Sequence, residues 1–385
     1  MPEQAVFVPE IGFRPQGTRE LKTEAKTKEG TTTLRVRAVA ASADETEVIV
    51  EWRSASSDCT PEHRYLSWKE TPEPETAALI AGPVTLKARR VARQGYSASL
   101  VRLEAMHMIT FDAIATDDAE LRVTEGGREF RVPFRLTSAA VSARPLDVEA
   151  ERDGVTVRAT AVARHDAELV VALEVQAPHQ VRQVAAPLSA QVRFTDLDEQ
   201  TFRERQAEIR RVLGHLAEPI MLSTDTGEVE EVGRVGRLEP QPDEGPPFLR
   251  RLAVAFPAPH DAKSATVIVP FVELNDQDGL ATADLRRVPQ DVQLGKHRFR
   301  ILATSARGDE QWVVLEIPRS DASPRFTQPR SIRGPGDERY NSSRVDGDPQ
   351  RRTMSVKVGD PPIVTFRGAV LRVEGPWRLE VPFGA

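Results

Sequence analysis

The chain has 385 residues, of which 39% are hydrophobic and 29% charged, and its net charge is −6. This length exceeds one ordinary domain and suits two to four; domains of that size need neither disulfides nor metals to hold a core. The acidic balance argues against a dedicated nucleic-acid binder, which carries a basic excess or stripe, and no apolar run reaches the roughly 18 residues that a membrane-spanning helix needs.

Met1 to Gly30 is charged and proline-containing, without the apolar centre of a signal peptide. Residues 1–28 read as a polar lead-in laid along the first domain. As written, the chain is expected in the cytoplasm; a removed leader or anchor would place it outside. The single cysteine, Cys59, cannot form an internal bridge and leaves the compartment open.

From residue 29 the sequence repeats a pattern three times. The first unit, 29–142, opens with Leu34-Arg35-Val36-Arg37-Ala38, turns at Asp44-Glu45, and continues with Val48-Ile49-Val50-Glu51-Trp52. The second, 143–290, has Val155 to Val162, a turn at Arg164-His165-Asp166, and Val171 to Val175. The third, 291–385, has His297 to Ile301, a turn at Arg307-Gly308-Asp309, and Val313 to Ile317. Alternation of period two around a polar turn predicts a half-buried hairpin in each. Val48, Val50 and Trp52 then face a core, as do Val171, Leu173 and Val175, and Val313, Leu315 and Ile317. Glu51, Glu174 and Glu316 fall opposite, on the side of Arg35, Arg158 and Arg300, so a solvent-side Arg–Glu ladder is expected.

Each unit closes on Val-Pro-Phe, at residues 132–134, 269–271 and 381–383. Val and Phe point to one side, into a core. Proline points away and lacks an N–H, so it belongs at a strand end or sheet edge. The fold expected is all-β: three tandem, separate immunoglobulin-like antiparallel sandwiches.

Two decorations interrupt the array. The middle unit carries an insertion at 196–247, predicted as a helix near Leu197–Leu216 followed by a hairpin from Ile220 to Val235 around Asp225-Thr226-Gly227. The apolar spacing of Phe202, Ile209, Val212, Leu213 and Leu216 supports the helix. The third unit carries a long polar loop at 320–352. Loops on a rigid scaffold concentrate function, so partner contact is expected through Arg203 and Arg211 of the insertion and through Arg330, Arg333 and Tyr340 of the loop.

The search for chemistry assigns no catalytic, cofactor or metal residues. Walker, dinucleotide and nucleophile-elbow motifs are absent. His165-Asp166-Ala167-Glu168 falls in a hairpin turn and is not preset for zinc. Asn275-Asp276-Gln277-Asp278-Gly279 lacks oxygen ligands at the first and twelfth positions of a calcium loop, which are Leu274 and Leu285, and reads as a polar turn. In Met106-His107-Met108 the imidazole of a strand points away from both sulfurs. Cys59 and His63 have no second pair beside them. Tyr65 with Trp68 is the best candidate for an exposed glycan-stacking platform.

Glu374-Gly375-Pro376-Trp377-Arg378-Leu379-Glu380-Val381-Pro382-Phe383 resembles the closing strands of immunoglobulin-like domains in uncharacterised bacterial proteins, some of them the extracytoplasmic parts of anti-sigma-factor-like membrane proteins. Glu125-Gly126 stands at the same offset before the first Val-Pro-Phe, whereas the second has Lys263 there. The resemblance covers strand ends only. It implies the sandwich fold and transfers no site residue. The sequence therefore leads to a non-enzymatic, soluble protein-interaction or structural module, with a glycan-binding accessory protein as the alternative; the partner is expected to be a protein.

Overall fold

The computed structural model describes residues 5–29, 32–55, 74–98, 102–125, 127–186, 218–235, 246–257, 264–307, 310–320, 322–333, 339–340, 343–345 and 350–382. All regular structure among them is antiparallel β, apart from one 3₁₀ turn at Leu285–Arg287. The strands form sheets of seven, ten, seven and five. The predicted hairpins are present with the expected faces. Arg35 lies opposite Glu51, Arg158 opposite Glu174 and Arg300 opposite Glu316. Val48, Val50 and Trp52 are fully buried, and so are Val171, Val175, Val313 and Leu315.

The ten-stranded sheet folds over on itself around the first core. Leu34, Val36, Val50, Trp52 and Phe111 on one half meet Leu79, Leu121, Phe130 and Val132 on the other. Trp52 and Phe130 meet edge to face, with centroids 5.1 Å apart. The second core lies between the two seven-stranded sheets. It joins Val157, Val171, Leu173 and Phe256 to Val267, Val269, Leu371, Trp377 and Leu379. The Trp377 indole N–H donates to the carbonyl of Val155 across it at 3.1 Å. In the third core the five-stranded sheet, with Phe299, Ile301, Val313 and Leu315, packs on Ala283, Ile332, Val364 and Phe366.

The second and third cores are not separate units. Strands Ser264–Asp284 and Ile363–Pro382 pair with each other along nearly their whole length, and both cores draw on them. The second core takes Ala369, Leu371, Val373, Trp377, Leu379 and Val381, all odd positions; the third takes Val364 and Phe366, both even. Because side chains alternate with period two, the buried set changes at Gly368. There the φ is +64°, and the opposite strand bulges between Asp276 and Leu280. The stretch predicted as a polar turn is this bulge, inside a continuous strand.

The Val-Pro-Phe tripeptides follow the same logic. Val132, Phe134, Val269 and Val381 are buried in cores as expected; Phe271 is buried as well but outside the second core, its ring under the Arg372 guanidinium at 3.7 Å, and Phe383 lies outside the described residues. The strands do not stop there, however. Arg128–Ser138 continues past Pro133 and Ser264–Asp284 past Pro270. Pro133 precedes the stretch, Leu136–Ser138, where its strand gains a second neighbour, and Pro270 sits at a register shift between Val269 and Phe271. A missing N–H is tolerated at an unpaired edge or a bulge as well as at a strand end.

Residues 1–28 are also more than a lead-in. Ala5–Val8 pairs with Val141–Ala143 and joins the second core's sheet, with Gly12–Pro15 folded back beside it. Val8 and Ile11 bury themselves on Ala38, Ala40, Ile49 and Met108 outside the first core. Phe7 packs on Ala163, Val170, Ala253 and Ala255 outside the second. The hairpin is therefore a shared layer between two sheets. Arg19–Leu21 and Ala25–Glu29 then return to the first core's sheet.

An alanine methyl at position 368 would stand 2.6 Å from the carbonyl oxygen of Asp276, on a backbone that L-residues rarely adopt. Gly368→Ala is expected to cost about 2–4 kcal/mol, read as a lowered midpoint in urea unfolding.

Candidate functional site

The predicted contact and platform residues divide sharply. Arg203, Arg211, Tyr65 and Trp68 lie outside the described residues, as do Cys59, His63 and the predicted helix. The hairpin of the insertion is present: Met221–Thr224 pairs with Gly227–Glu230. Its base is fixed by Glu231, which is buried, accepts the Ile220 N–H at 3.0 Å and is held by Arg234 at 2.8 Å.

The segment 320–352 contains strands where a long loop was expected. Arg325–Arg333 pairs with the long strand Ile363–Pro382, Arg339–Tyr340 pairs with it in turn, and Ser343–Val345 pairs with Arg351–Lys357. The register shift between Phe326 and Gln328 breaks the period-two pattern that would have revealed the first of these strands. Its anchors are Ile332 and Phe326 in the third core. Tyr340 stands opposite Ile332, and Arg333 opposite both Arg339 and Thr365.

This pairing builds one exposed face. Between the core-facing Ala281, Ala283, Val364 and Phe366 lie the outward positions. Leu280 is opposite Arg367, Thr282 opposite Thr365, and Asp284 opposite Ile363. Leu280 is 68% exposed and Ile363 41%, and Thr282 and Arg367 are exposed as well. Ser331 and Arg333 extend the surface onto the neighbouring strand. Its carboxylate, Asp284, accepts from the backbone and guanidinium of Arg286, which hold its carboxyl down at about 2. The face thus combines aliphatic area with arginine, and its acid is already committed.

A second feature is a cleft of about 270 Å³ between the N-terminal hairpin, the outside of the second core's sheet, and Glu45 and Glu47 of the first. Its charges are internally matched. Arg14 donates to the buried Glu47 at 2.7 Å, and Arg251 to Glu174 at 3.0 Å. The adjacent edge strand ends in Pro15, and Arg14 covers the Phe13 carbonyl at 2.7 Å, so little open backbone is offered for strand addition. The volume falls just below the usual ligand-pocket range of roughly 300–1,000 Å³. The cleft is better read as a seam held by an ion pair than as a binding site.

The charge ladder follows expectation with one correction. Outside the second core, Glu149, Arg158, Glu174 and Arg251 stand side by side on four strands, with contacts of 2.8 Å and 3.0 Å at its two ends. Glu51, expected in solvent, is 6% exposed. It lies under Arg35, Arg37 and Arg53 at 3.6, 3.5 and 2.9 Å, and Arg37 reaches on to Glu10 of the hairpin at 2.8 Å. The hairpin, unforeseen as a layer, covers that carboxylate.

His107 is buried beside Ala105, Ile109 and Phe111, away from Met108, which packs under the N-terminal hairpin. Among the described residues no three of His, Cys, Asp and Glu are grouped to hold a metal ion, and no helix is long and apolar enough to cross a membrane.

Fold and surfaces together define an all-β protein of several antiparallel sheets. No family model matches the chain, and no curated protein matches it. Among solved structures it is similar to a conserved domain protein from Bacillus anthracis, at 10% identity and a TM-score of 0.32, over 72% of this chain and 85% of the other. A likeness of that size carries no inference.

Arg14→Ala removes the cation against Glu47, whose side chain is 2% exposed. Truncating one partner of a buried pair leaves a desolvated charge, and a loss of about 2–4 kcal/mol is expected, measured by urea unfolding. Glu47→Gln in the same background should restore part of it.

Proposed function

We propose that the chain is a non-enzymatic, all-β protein-interaction module, with its second and third cores joined through one shared strand pair, that binds an acidic protein surface. The contact lies on the outward face of the long strand pair at the third core. The observation that supports this reading is the juxtaposition of Leu280 and Ile363, both exposed, with Arg367 and Arg333 on adjacent strands of one sheet. Arginine and exposed aliphatic groups are the residue types that interface centres favour, while lysine and acids are depleted there. Arginine also reads carboxylates in two-point geometry. A partner with an acidic, partly apolar patch fits both features, and a layered β scaffold holds the face rigid.

A photoreactive amino acid placed at Thr282 in the native cell should give one discrete protein adduct. Charge reversal by Arg367→Glu should reduce its yield on the order of tenfold, while the same reagent at the exposed Thr137 of the first core's sheet should give no such adduct. Absence of an adduct at Thr282, or one indifferent to Arg367→Glu, would overturn the reading.

A further inference from the structure

Where the second core passes into the third, three ionisable side chains far apart in sequence meet. Asp276 is the last residue before the bulge and is 5% exposed. Its Oδ1 accepts the backbone N–H of Asp278 at 3.0 Å. His179, from the turn after strand Glu168–Ala177, places Nδ1 4.0 Å from the same oxygen. His297, at the turn between Gln290–Leu294 and His297–Arg307, places Nε2 4.0 Å from the other oxygen. The two imidazoles thus address different oxygens of one carboxylate.

The seat of His297 is closely built. Its ring stacks on Phe326 at 4.9 Å and 13°, and Phe326 packs against both the second and the third core. Its Nε2 is buried and makes no hydrogen bond among the described residues. The turn that carries it rests on the bulge through two glycines: a methyl on Gly279 would stand 3.1 Å from the Gly295 nitrogen, and one on Gly295 would stand 3.5 Å from the Gly279 Cα. The Leu294 side chain lies against the same spot, its Cδ1 3.4 Å from where the Gly279 methyl would stand.

We propose that the seam is proton-responsive: on acidification a protonated His297 leaves its place between Asp276 and Phe326, and the Gly295 turn lifts from the Gly279 bulge. The charged groups around the seat are His179, Asp276 and Asp278, with Lys296 on the turn itself. The stem of Arg330 lies against Gly368 from the neighbouring strand, where a methyl would meet its Cδ at 3.3 Å. Arg182 and Glu273, 3.9 Å apart, lie one step along the ladder. Burial pushes the His297 imidazole below its ordinary value, and Lys296 pushes the same way; Asp276 pulls upward without cancelling them. An imidazole that is harder to protonate in place than when released stabilises the closed seam above the free value of ~6.5, and that contribution is lost as the pH falls through the seated value. The coupling is local because it acts on one turn resting on one bulge. It concerns the seam alone and does not depend on the contact face proposed above.

The test is amide hydrogen exchange of the full chain at about pH 7.5 and about pH 5, corrected for intrinsic rates. Residues 277–280 and 294–298 should open more at the lower pH, by up to about tenfold for each unit separating seated from released imidazole. His297→Phe keeps a ring against Phe326 and should abolish the pH dependence. Asp276→Asn removes the upward pull, widens the gap between seated and released imidazole, and should enlarge the pH-dependent opening. Equal protection at both pH values, or a pH dependence that survives His297→Phe, overturns the proposal. Should His297→Phe fail to fold, NMR titration of His297 in the unmodified chain decides: a value at or above ~6.5 overturns the proposal, and a value below it supports the proposal.

Discussion

A single pair of antiparallel strands serving two hydrophobic cores must change which alternate residues it buries. A regular ladder cannot do this, since one face stays inward along its whole length. Here the change is made at Gly368, with the extra residues of the Asp276–Leu280 bulge opposite it. Everything around that point is adapted to a tight crossing. Gly368 approaches the Asp276 carbonyl where a Cβ could not, and Gly279 meets Gly295 backbone to backbone. Strand Arg325–Arg333 runs alongside, and its Phe326 fills the space between the two cores.

The buried acids mark this and the other seams. Glu47, Glu51, Glu231 and Asp276 are the buried carboxylates among the described residues. Glu47 and Glu51 lie where the N-terminal hairpin meets the first core, held by Arg14 and by the three arginines above Glu51. Glu231 sits where the chain leaves the sheet containing Gly227–Glu230 for the one containing Gly233–Val235. None lies in the middle of a core. Paired buried charges add little net stability against apolar side chains, yet they penalise a misdocked arrangement heavily. Their placement fixes how layers meet, while aliphatic packing supplies the bulk of the burial.

What could be read directly from the residues was local. Uninterrupted alternation, as in Val48–Trp52 or Val171–Val175, disclosed strands, faces and hairpins. Elements containing a bulge escaped. Arg325–Arg333 looked like a polar loop because one shift near Phe326 destroyed its period. Ser264–Asp284 looked like a strand followed by a turn because its bulge is rich in Asn, Asp and Gly. The N-terminal hairpin was missed because its apolar residues are few and divided between two surfaces, Val8 and Ile11 on one and Phe7 on the other. The proposed contact face is hidden by the same shift: the polar composition points to Arg330 and Arg333, while no pattern points to Leu280, Ile363 or Arg367. His179, Asp276 and His297 form no motif, and only the fold brings them together. An isolated glycine within a strand, such as Gly368, was the one available sign of a close backbone approach.

The shared ladder also imposes an order on biosynthesis. The first core takes its strands from residues between Arg19 and Ser138, so it can close early, while the remainder is still being made. The second core cannot follow in sequence, because Leu371, Trp377, Leu379 and Val381 belong to it and emerge after every strand of the five-stranded sheet. Until Pro382 has left the ribosome, Ser264–Asp284 remains a long apolar edge without its neighbour, of the kind that invites mispairing. The nascent chain therefore carries one body that can finish early and one whose core can be completed only when its last strand arrives.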